Sequence, residues 1–240
     1  MSGLLLESTG VFVSFNDGDF VKIEYSAWRA SDGSLVYTTD KKKAEENQIY
    51  SERSRYGPSL IIIGKDTAIK GIDKAVRGMG ISETKKVEIE PADAFGERSQ
   101  DLMRVMHVSD FRSRDINPEP GMQVDLDGTV AIVRSVNSGR VTVDANHPLA
   151  GEKLTYELKV VSKVDDDKEK VLAIADMSNV KPENARVENG VVEVTFGEKV
   201  EKNADYFLNK AAFTSSVLRY MPRITKIVVK EEYARKEEGK

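Results

Sequence analysis

The sequence predicts an α+β fold in which a short helix lies on a framework of strands, and three observations carry that reading. Between residues 65 and 97, Ile69, Ile72, Val76 and Met79 recur at helical spacing between glycine-rich breaks. Runs that alternate apolar and polar residues stand on both sides of it, at 18–25 and 85–90. Turn signals then divide the later chain into further short strands, at Asp127-Gly128, Asn137-Ser138-Gly139 and Asn189-Gly190.

Taken in order, VFVSF near the start reads as a strand-like lead and residues 18–25 (GDFVKIEY) as a strand. The turn Ser31-Asp32-Gly33-Ser34 ends one strand in Trp28 and starts the next at Leu35. Residues 39–48 are charged and helix-prone, with Thr39 or Asp40 as cap. Leu60-Ile61-Ile62-Ile63 reads as a buried strand broken by Gly64. Gly71 lies inside the following helix at about 1 kcal/mol relative to Ala, and Gly78 and Gly80 end it. In 85–90, Val87 and Ile89 face inward, and Pro91 stops the strand. Residues 97–111 set apolar side chains among polar neighbours, 117–121 form a loop, 122–143 give three short strands and 154–161 a strong one. Residues 165–170 (DDDKEK) read as a linker to a second domain. There, 171–175 reads as a strand, 185–196 as a hairpin and 224–229 as a last strand. The helix 201–220 is expected to turn Ala204, Phe207, Leu208, Ala211, Ala212, Ser215 and Leu218 inward.

Composition bounds the function. The 240 residues are 40% hydrophobic and 32% charged, ordinary for a soluble protein. The chain holds no cysteine, which excludes disulfides and thiol chemistry, and only His107 and His147, which excludes a histidine-rich metal site. Net charge is 36 − 40 = −4 without a long basic run, so nucleic acid is not expected as a ligand. Leu4-Leu5-Leu6 is too short for a signal peptide or a membrane span, which places the protein in the cytosol with no membrane partner. No Ser/His/Asp or phosphate-loop pattern supports hydrolase or transferase chemistry.

VKIEYSAWRASDG, LIIIGKDTAIKGIDKAVRGM, EPADAFGE and NHPLAGEKLTYELKV follow one another over about residues 18–163. In that order they resemble the SlyD-like FKBP-type peptidyl-prolyl cis-trans isomerases, specifically the long archaeal kind with an added C-terminal domain; NHPLAG is close to a signature for the subgroup. The resemblance implies a twisted antiparallel sheet wrapped around a short helix, with a small β-rich insert-in-flap chaperone domain. Residues 1–96 plus 146–164 would form the isomerase domain, 97–145 the insert, and 165–240 a C-terminal α+β domain. That last domain would dimerise if its helix has a second apolar side, which Phe213, Val217 and Tyr220 suggest.

The resemblance also implies a pocket. Tyr25 matches the family's pocket tyrosine, Val36 and Ile61 its wall, Ala68 and Ile69 the pair whose backbone holds the peptide, and Ile72 the floor. Phe95 stands where the family usually has tyrosine, and Tyr156 where it usually has phenylalanine. Tyr37 departs from the pattern, replacing an aspartate. Tyr25, Tyr37, Ile69, Phe95 and Tyr156 are therefore the expected catalytic set, although without the resemblance Ile61, Ile69 and Ile72 read more often as plain core, and Tyr25 and Tyr156 as ordinary sheet aromatics. The expected activity is rotation of X-Pro bonds in proline-containing or unfolded polypeptides, with no metal and no cofactor. Leu102, Met103, Val105, Met106 and Phe111 are expected to capture clients on the insert, unless they form its own core; His147 would brace the chain returning from it. A holdase-type chaperone whose isomerase activity is weak or lost is the alternative that Tyr37 and Phe95 leave open.

Overall fold

The structure, a computed structural model, describes residues 14–197 and 203–233. Most of the VFVSF lead, Leu4-Leu5-Leu6 and the start of the 201–220 helix lie outside the described residues. In chain order the elements are β1 (Phe20–Arg29), β2 (Leu35–Thr38), α1 (Lys41–Glu46), β3 (Ser59–Ile62), α2 (Lys70–Arg77), β4 (Thr84–Ile89), β5 (Met103–His107), α3 (Val108–Arg112), β6 (Gln123–Leu126), β7 (Thr129–Asn137), β8 (Arg140–Asp144), β9 (Leu154–Val164), α4 (Asp167–Met177), β10 (Asn184–Glu188), β11 (Val191–Phe196), α5 (Ala204–Tyr220) and β12 (Lys226–Glu231). They form two compact units. One comprises Met1–Trp28, Gly33–Val87 and Thr155–Lys240; the other comprises Arg29–Asp32 and Glu88–Leu154.

In the first unit the main sheet runs β2-β1-β9-β4, with β3 also paired to β1. Antiparallel register sets Phe20 against Ile62 and Lys22 against Leu60, so the alternate pair Val21 and Ile61 points to the other face. Both faces are buried there. Val21, Ile23 and Ile61 are 4% exposed or less, and Phe20, Leu60 and Ile62 belong to a core shared with Val171, Ile174, Phe196, Phe213 and Val217 from the C-terminal segment. Beyond α4, that segment holds a sheet in the order β10-β11-β12. β10 and β11 are a hairpin through Asn189 and Gly190, both at positive φ. β11 and β12 are parallel, joined by a crossover that contains α5.

Two elements here differ from the sequence reading. Residues 165–175 are not a linker and a strand: Asp166 caps α4 by accepting from the Glu169 N–H at 2.9 Å, and the VLAIA run is helical with Val171, Ala173, Ile174 and Ala175 buried. A short, fully apolar run has no period that separates a buried strand from a buried helix. In α5 the seven residues expected to face inward, from Ala204 to Leu218, are all exposed. Tyr206, Phe213 and Val217 are buried in their place. The helix carries two apolar stripes, and spacing alone cannot choose which one meets the core.

In the second unit the sheet order is β5-β8-β7-β6, all antiparallel. Phe111, Val124, Ala131, Val133, Val141 and Val143 fill the core on one of its faces. The β6–β7 and β7–β8 turns fall on Asp127-Gly128 and Ser138-Gly139, both pairs at positive φ, as the turn chemistry predicts.

Candidate active site

A cleft of about 920 Å³ opens in the first unit, and Tyr25, Val36 and Tyr37 line it. β1 and β2 position them: Tyr37 pairs with Ala27, and the register shifts between Ala27 and Trp28. Thr39 fixes the backbone of Tyr25 in a way the sequence did not reveal. The Tyr25 N–H donates to Thr39 Oγ1 at 2.9 Å, and the Thr39 N–H and hydroxyl both donate to the Tyr25 carbonyl, at 2.9 and 3.2 Å. Thr39 is itself buried at 7% and lines the cleft. Only the β-strand pairing across the turn brings it to Tyr25, so no local signal could have found it. Residues 52–59 also line the cleft, and beside them Tyr50 stacks on Tyr56 at 5.5 Å and the Ser51 N–H donates to the Tyr56 hydroxyl at 3.0 Å.

Tyr156, on β9, sits beside Tyr25 with ring centroids 6.0 Å apart, and is only 2% exposed. Burial, then the neighbouring Tyr25 and Tyr37 phenols, pushes the Tyr156 hydroxyl above its ordinary range; burial and Tyr37 do the same to Tyr25. The Tyr25 and Tyr156 phenols are thus held neutral, able to donate a hydrogen bond rather than carry charge. Tyr37 is 42% exposed.

The other expected pocket residues lie differently. Ile61 and Ile72 are core side chains, 4% and 5% exposed, and neither lines the cleft. Ala68 and Ile69 are half-buried ahead of α2. Ile69 is the N-cap residue, whose carbonyl accepts from Ile72 and Asp73. Phe95 belongs to the second unit, where its ring stacks flat on His147 with centroids 4.2 Å apart. Sequence spacing gave no hint of that stack. His147 also accepts the Leu149 N–H at Nδ1, 3.1 Å away.

Around His147 the chain enters and leaves the β5–β8 sheet through a polar clamp. The Asp144 carboxylate, fully buried, takes ion pairs from Arg98 and Arg134 and hydrogen bonds from the Asn146 side chain and backbone. Burial would raise the Asp144 carboxyl; the bonds from Asn146 and Arg134 and the charge of Arg98 overcome it and hold the group below its ordinary range. Asn146 in turn grips Ser99, accepting its N–H and donating to its carbonyl at 2.8 and 2.9 Å.

The residues expected to meet clients divide between surface and core. Leu102 and Val105 are 46% and 65% exposed, and Met103 is half-buried. Met106 packs against the core of the second unit, and Phe111 is in it at 2% exposure. Phe111 is therefore corrected to a core side chain: its ring is the anchor of a small β unit and presents no surface. Register places Met103 and Val105 on the sheet face away from that core, where β7 adds Val130, 54% exposed, and Ile132. Neither β7 residue was expected from the sequence, because both sit in a strand whose alternation could be read with either face inward.

Among the described residues there is no group of three or more His, Cys, Asp or Glu arranged to hold a metal ion, and no helix is long and apolar enough to cross a membrane.

Comparison with known proteins adds the following. Residues 13–107 match the family described as FKBP-type peptidyl-prolyl cis-trans isomerase, and residues 104–149 match the family described as FKBP26, IF domain. A short-type peptidyl-prolyl cis-trans isomerase of Methanocaldococcus jannaschii is 35% identical over 143 residues, which is 60% of this chain and 90% of that protein. The FKBP-type peptidyl-prolyl cis-trans isomerase SlyD of Helicobacter pylori is 31% identical over 48% of this chain and 64% of its own length. An FKBP-type 16 kDa peptidyl-prolyl cis-trans isomerase of Escherichia coli is 28% identical over 46% of this chain and 77% of its own.

Proposed function

Because the chain belongs to the FKBP-type peptidyl-prolyl cis-trans isomerases and resembles their SlyD-like members, we propose that it rotates X-Pro bonds of client polypeptides in the Tyr25 cleft and captures those clients on the β5–β8 sheet. The observation that carries the first part is a group of tyrosines: Tyr25 and Tyr37 line a cleft to which Val36, Ala44 and Leu60 add apolar walls and Thr39, Arg53 and Arg55 polar ones, and the Tyr156 ring packs beside Tyr25. An X-Pro bond turns slowly because amide resonance imposes a barrier of about 18–20 kcal/mol. The twisted transition state has lost that resonance and its carbonyl is less dipolar. A dry surface therefore disfavours the planar ground state more than the twisted one. No nucleophile, metal or cofactor takes part. Tyr25 orients the substrate carbonyl, Tyr37 supplies a hydroxyl where the family usually has an acid, and Ala68 and Ile69, half-buried ahead of α2, offer backbone to the bound peptide as in the family.

Client capture is supported by Met103, Val105, Val130 and Ile132 sharing one sheet face, with Leu102 exposed nearby in sequence. β5 is an edge strand, open to strand addition by an extended chain, and methionine adapts to irregular partners. A homodimer is also proposed, but not through Phe213, Val217 and Tyr220 as the sequence suggested, because Phe213 and Val217 are buried in the core and Tyr220 packs against it. The exposed α5 stripe has bulky Phe207, Leu208 and Leu218 towards its ends and Ala211, Ala212 and Ser215 between them, a shape that fits an antiparallel copy of itself. Light scattering tests that point: a monomeric mass at micromolar concentration would rule it out. The cytosolic location expected from the sequence belongs to the proposal as well.

The deciding experiment is refolding of a protein limited by prolyl isomerisation, with catalytic amounts of this chain added. Refolding that accelerates in proportion to the added chain supports the isomerase cleft. Suppressed aggregation without acceleration supports the holdase alternative, for which the exposed Tyr37 and the hydroxyl-free Phe95 are the motive.

A further inference from the structure

The cleft is not closed by the isomerase sheet alone. Its far wall is the end of α4 and the residues after it: Asp176, Met177, Asn179 and Lys181 line the same cavity as Tyr25, Val36 and Tyr37. That wall is tied to the facing loop. The Arg55 guanidinium pairs with the Asp176 carboxylate at 3.5 Å and donates to Asn179 Oδ1 at 3.0 Å. The loop is stiffened in turn by the Tyr50–Tyr56 stack. At about 920 Å³ the space lies at the upper end of the range for drug-sized ligands, well beyond an X-Pro dipeptide.

We infer that the C-terminal segment forms a subsite of the isomerase cleft that reads client side chains flanking the proline, and that it prefers acidic ones. This rests on the cleft being the isomerase site. The charge balance sets the preference. Arg53, Arg55 and Lys181 line the cavity with Glu52 and Asp176, and once Arg55 is paired with Asp176 the lining still holds two cations, Arg53 and Lys181, to one carboxylate, Glu52. The balance is 3 − 2 = +1 in a chain whose net charge is −4, so the cleft departs in sign from the molecule that carries it. An extended client seated at Tyr25 would pass between the 52–59 loop and residues 176–181. A carboxylate a few residues from its proline would then meet the two cations.

The test uses the full chain and two proline peptides that differ only in carrying Glu or Lys at the positions flanking the X-Pro pair. The readout is the ratio of kcat/KM for the two. The wild-type ratio is expected to favour Glu about fivefold at low salt, the scale of one exposed ion pair, and to shrink towards one at 1 M salt as screening grows. The Arg53→Glu, Lys181→Glu double variant is expected to invert the ratio, with an unchanged melting temperature showing that both substitutions are on the surface. A wild-type ratio within twofold of one, or a ratio that the double variant leaves in place, overturns the subsite while leaving the isomerase cleft standing, because both outcomes require turnover. No turnover of either peptide by the wild type overturns the cleft assignment and the subsite with it.

Discussion

The two larger sheets of this molecule solve opposite problems. The five-stranded sheet is buried on both faces at its β1–β3 edge, with Val21 and Ile23 on one side and Phe20, Leu60 and Ile62 in the C-terminal core on the other. The four-stranded sheet buries one face over six core side chains and leaves Met103, Val105, Val130 and Ile132 on the other. A sheet covered twice holds side chains in fixed places, which suits a cleft that must act on a bond geometry. A sheet covered once, with Val105 and Val130 exposed on its other face, suits capture of chains with no fixed shape. The first gains its rigidity from a core of eighteen buried residues. With only six, the second cannot do the same, and the polar clamp at Asp144 makes up part of the difference.

The strongest way to break this comparison is at that clamp. Asp144→Ala strands Arg98 and Arg134 around an empty site, and should destabilise the β5–β8 unit by about 3 kcal/mol. Hydrogen exchange should show loss of protection in that unit while the amides of β1 and β9 stay protected. Uniform loss in both would mean that the two sheets do not draw on separate sources of stability.

A slightly smaller effect is expected in the first unit with acid. Burial would raise the Glu231 carboxyl, but hydrogen bonds from Lys210, Tyr206 and Tyr233 depress it from 4.5 to about 2. Its folded value lies below its unfolded value, so the stabilisation is complete above about pH 5 and is lost as pH falls towards 2. Up to about 3 kcal/mol is at stake. Urea melts between pH 6 and pH 3 should show a decline that Glu231→Gln flattens; an equal decline in the variant would assign the acid sensitivity elsewhere.

Function gives the smaller effects. Tyr25→Ala should lower kcat/KM on short proline peptides by roughly tenfold, the scale of losing one buried aromatic anchor, and leave suppression of client aggregation as it was. Val105→Asp should do the reverse. It should weaken aggregation suppression, spare peptide turnover, and change stability by no more than about 0.5 kcal/mol, since the side chain is on the surface. If either variant damaged both activities alike, the division of labour between the sheets would fail.

Much of this was legible in the sequence where period and turn chemistry agree. The α2 stripe, the Leu60–Ile63 strand and the Asp127-Gly128 and Asn189-Gly190 hairpins all rest on a local rule with a steric cause. Reading failed where two answers satisfied the same rule. The VLAIA run of α4 is apolar throughout, and α5 carries Phe207, Leu208 and Leu218 on one side and Tyr206, Phe213 and Val217 on the other. Burial was settled by what lay across the core, Phe20 and Ile62 among them. At the candidate site the tyrosines at 25, 37 and 156 could be named from family resemblance. Thr39 under Tyr25, the Phe95–His147 stack and the α4 wall of the cleft could not, because each depends on a contact between residues distant along the chain.

The grip of Asn146 on Ser99 has a consequence for how such a chain could be assembled. Two residues 47 positions apart in sequence are hydrogen-bonded neighbours, and the Gly151 N–H donates to the Gly96 carbonyl at 2.8 Å just outside them. Seen from that base, a long excursion has the ends of a tight turn. Closing a loop of that length rather than one of about six residues adds only about 2 kcal/mol of chain entropy, and a detour that folds on itself recovers more than that. Such a junction admits exchange of the entire excursion, or its replacement by a few residues, with the flanking chain still meeting itself at the same place.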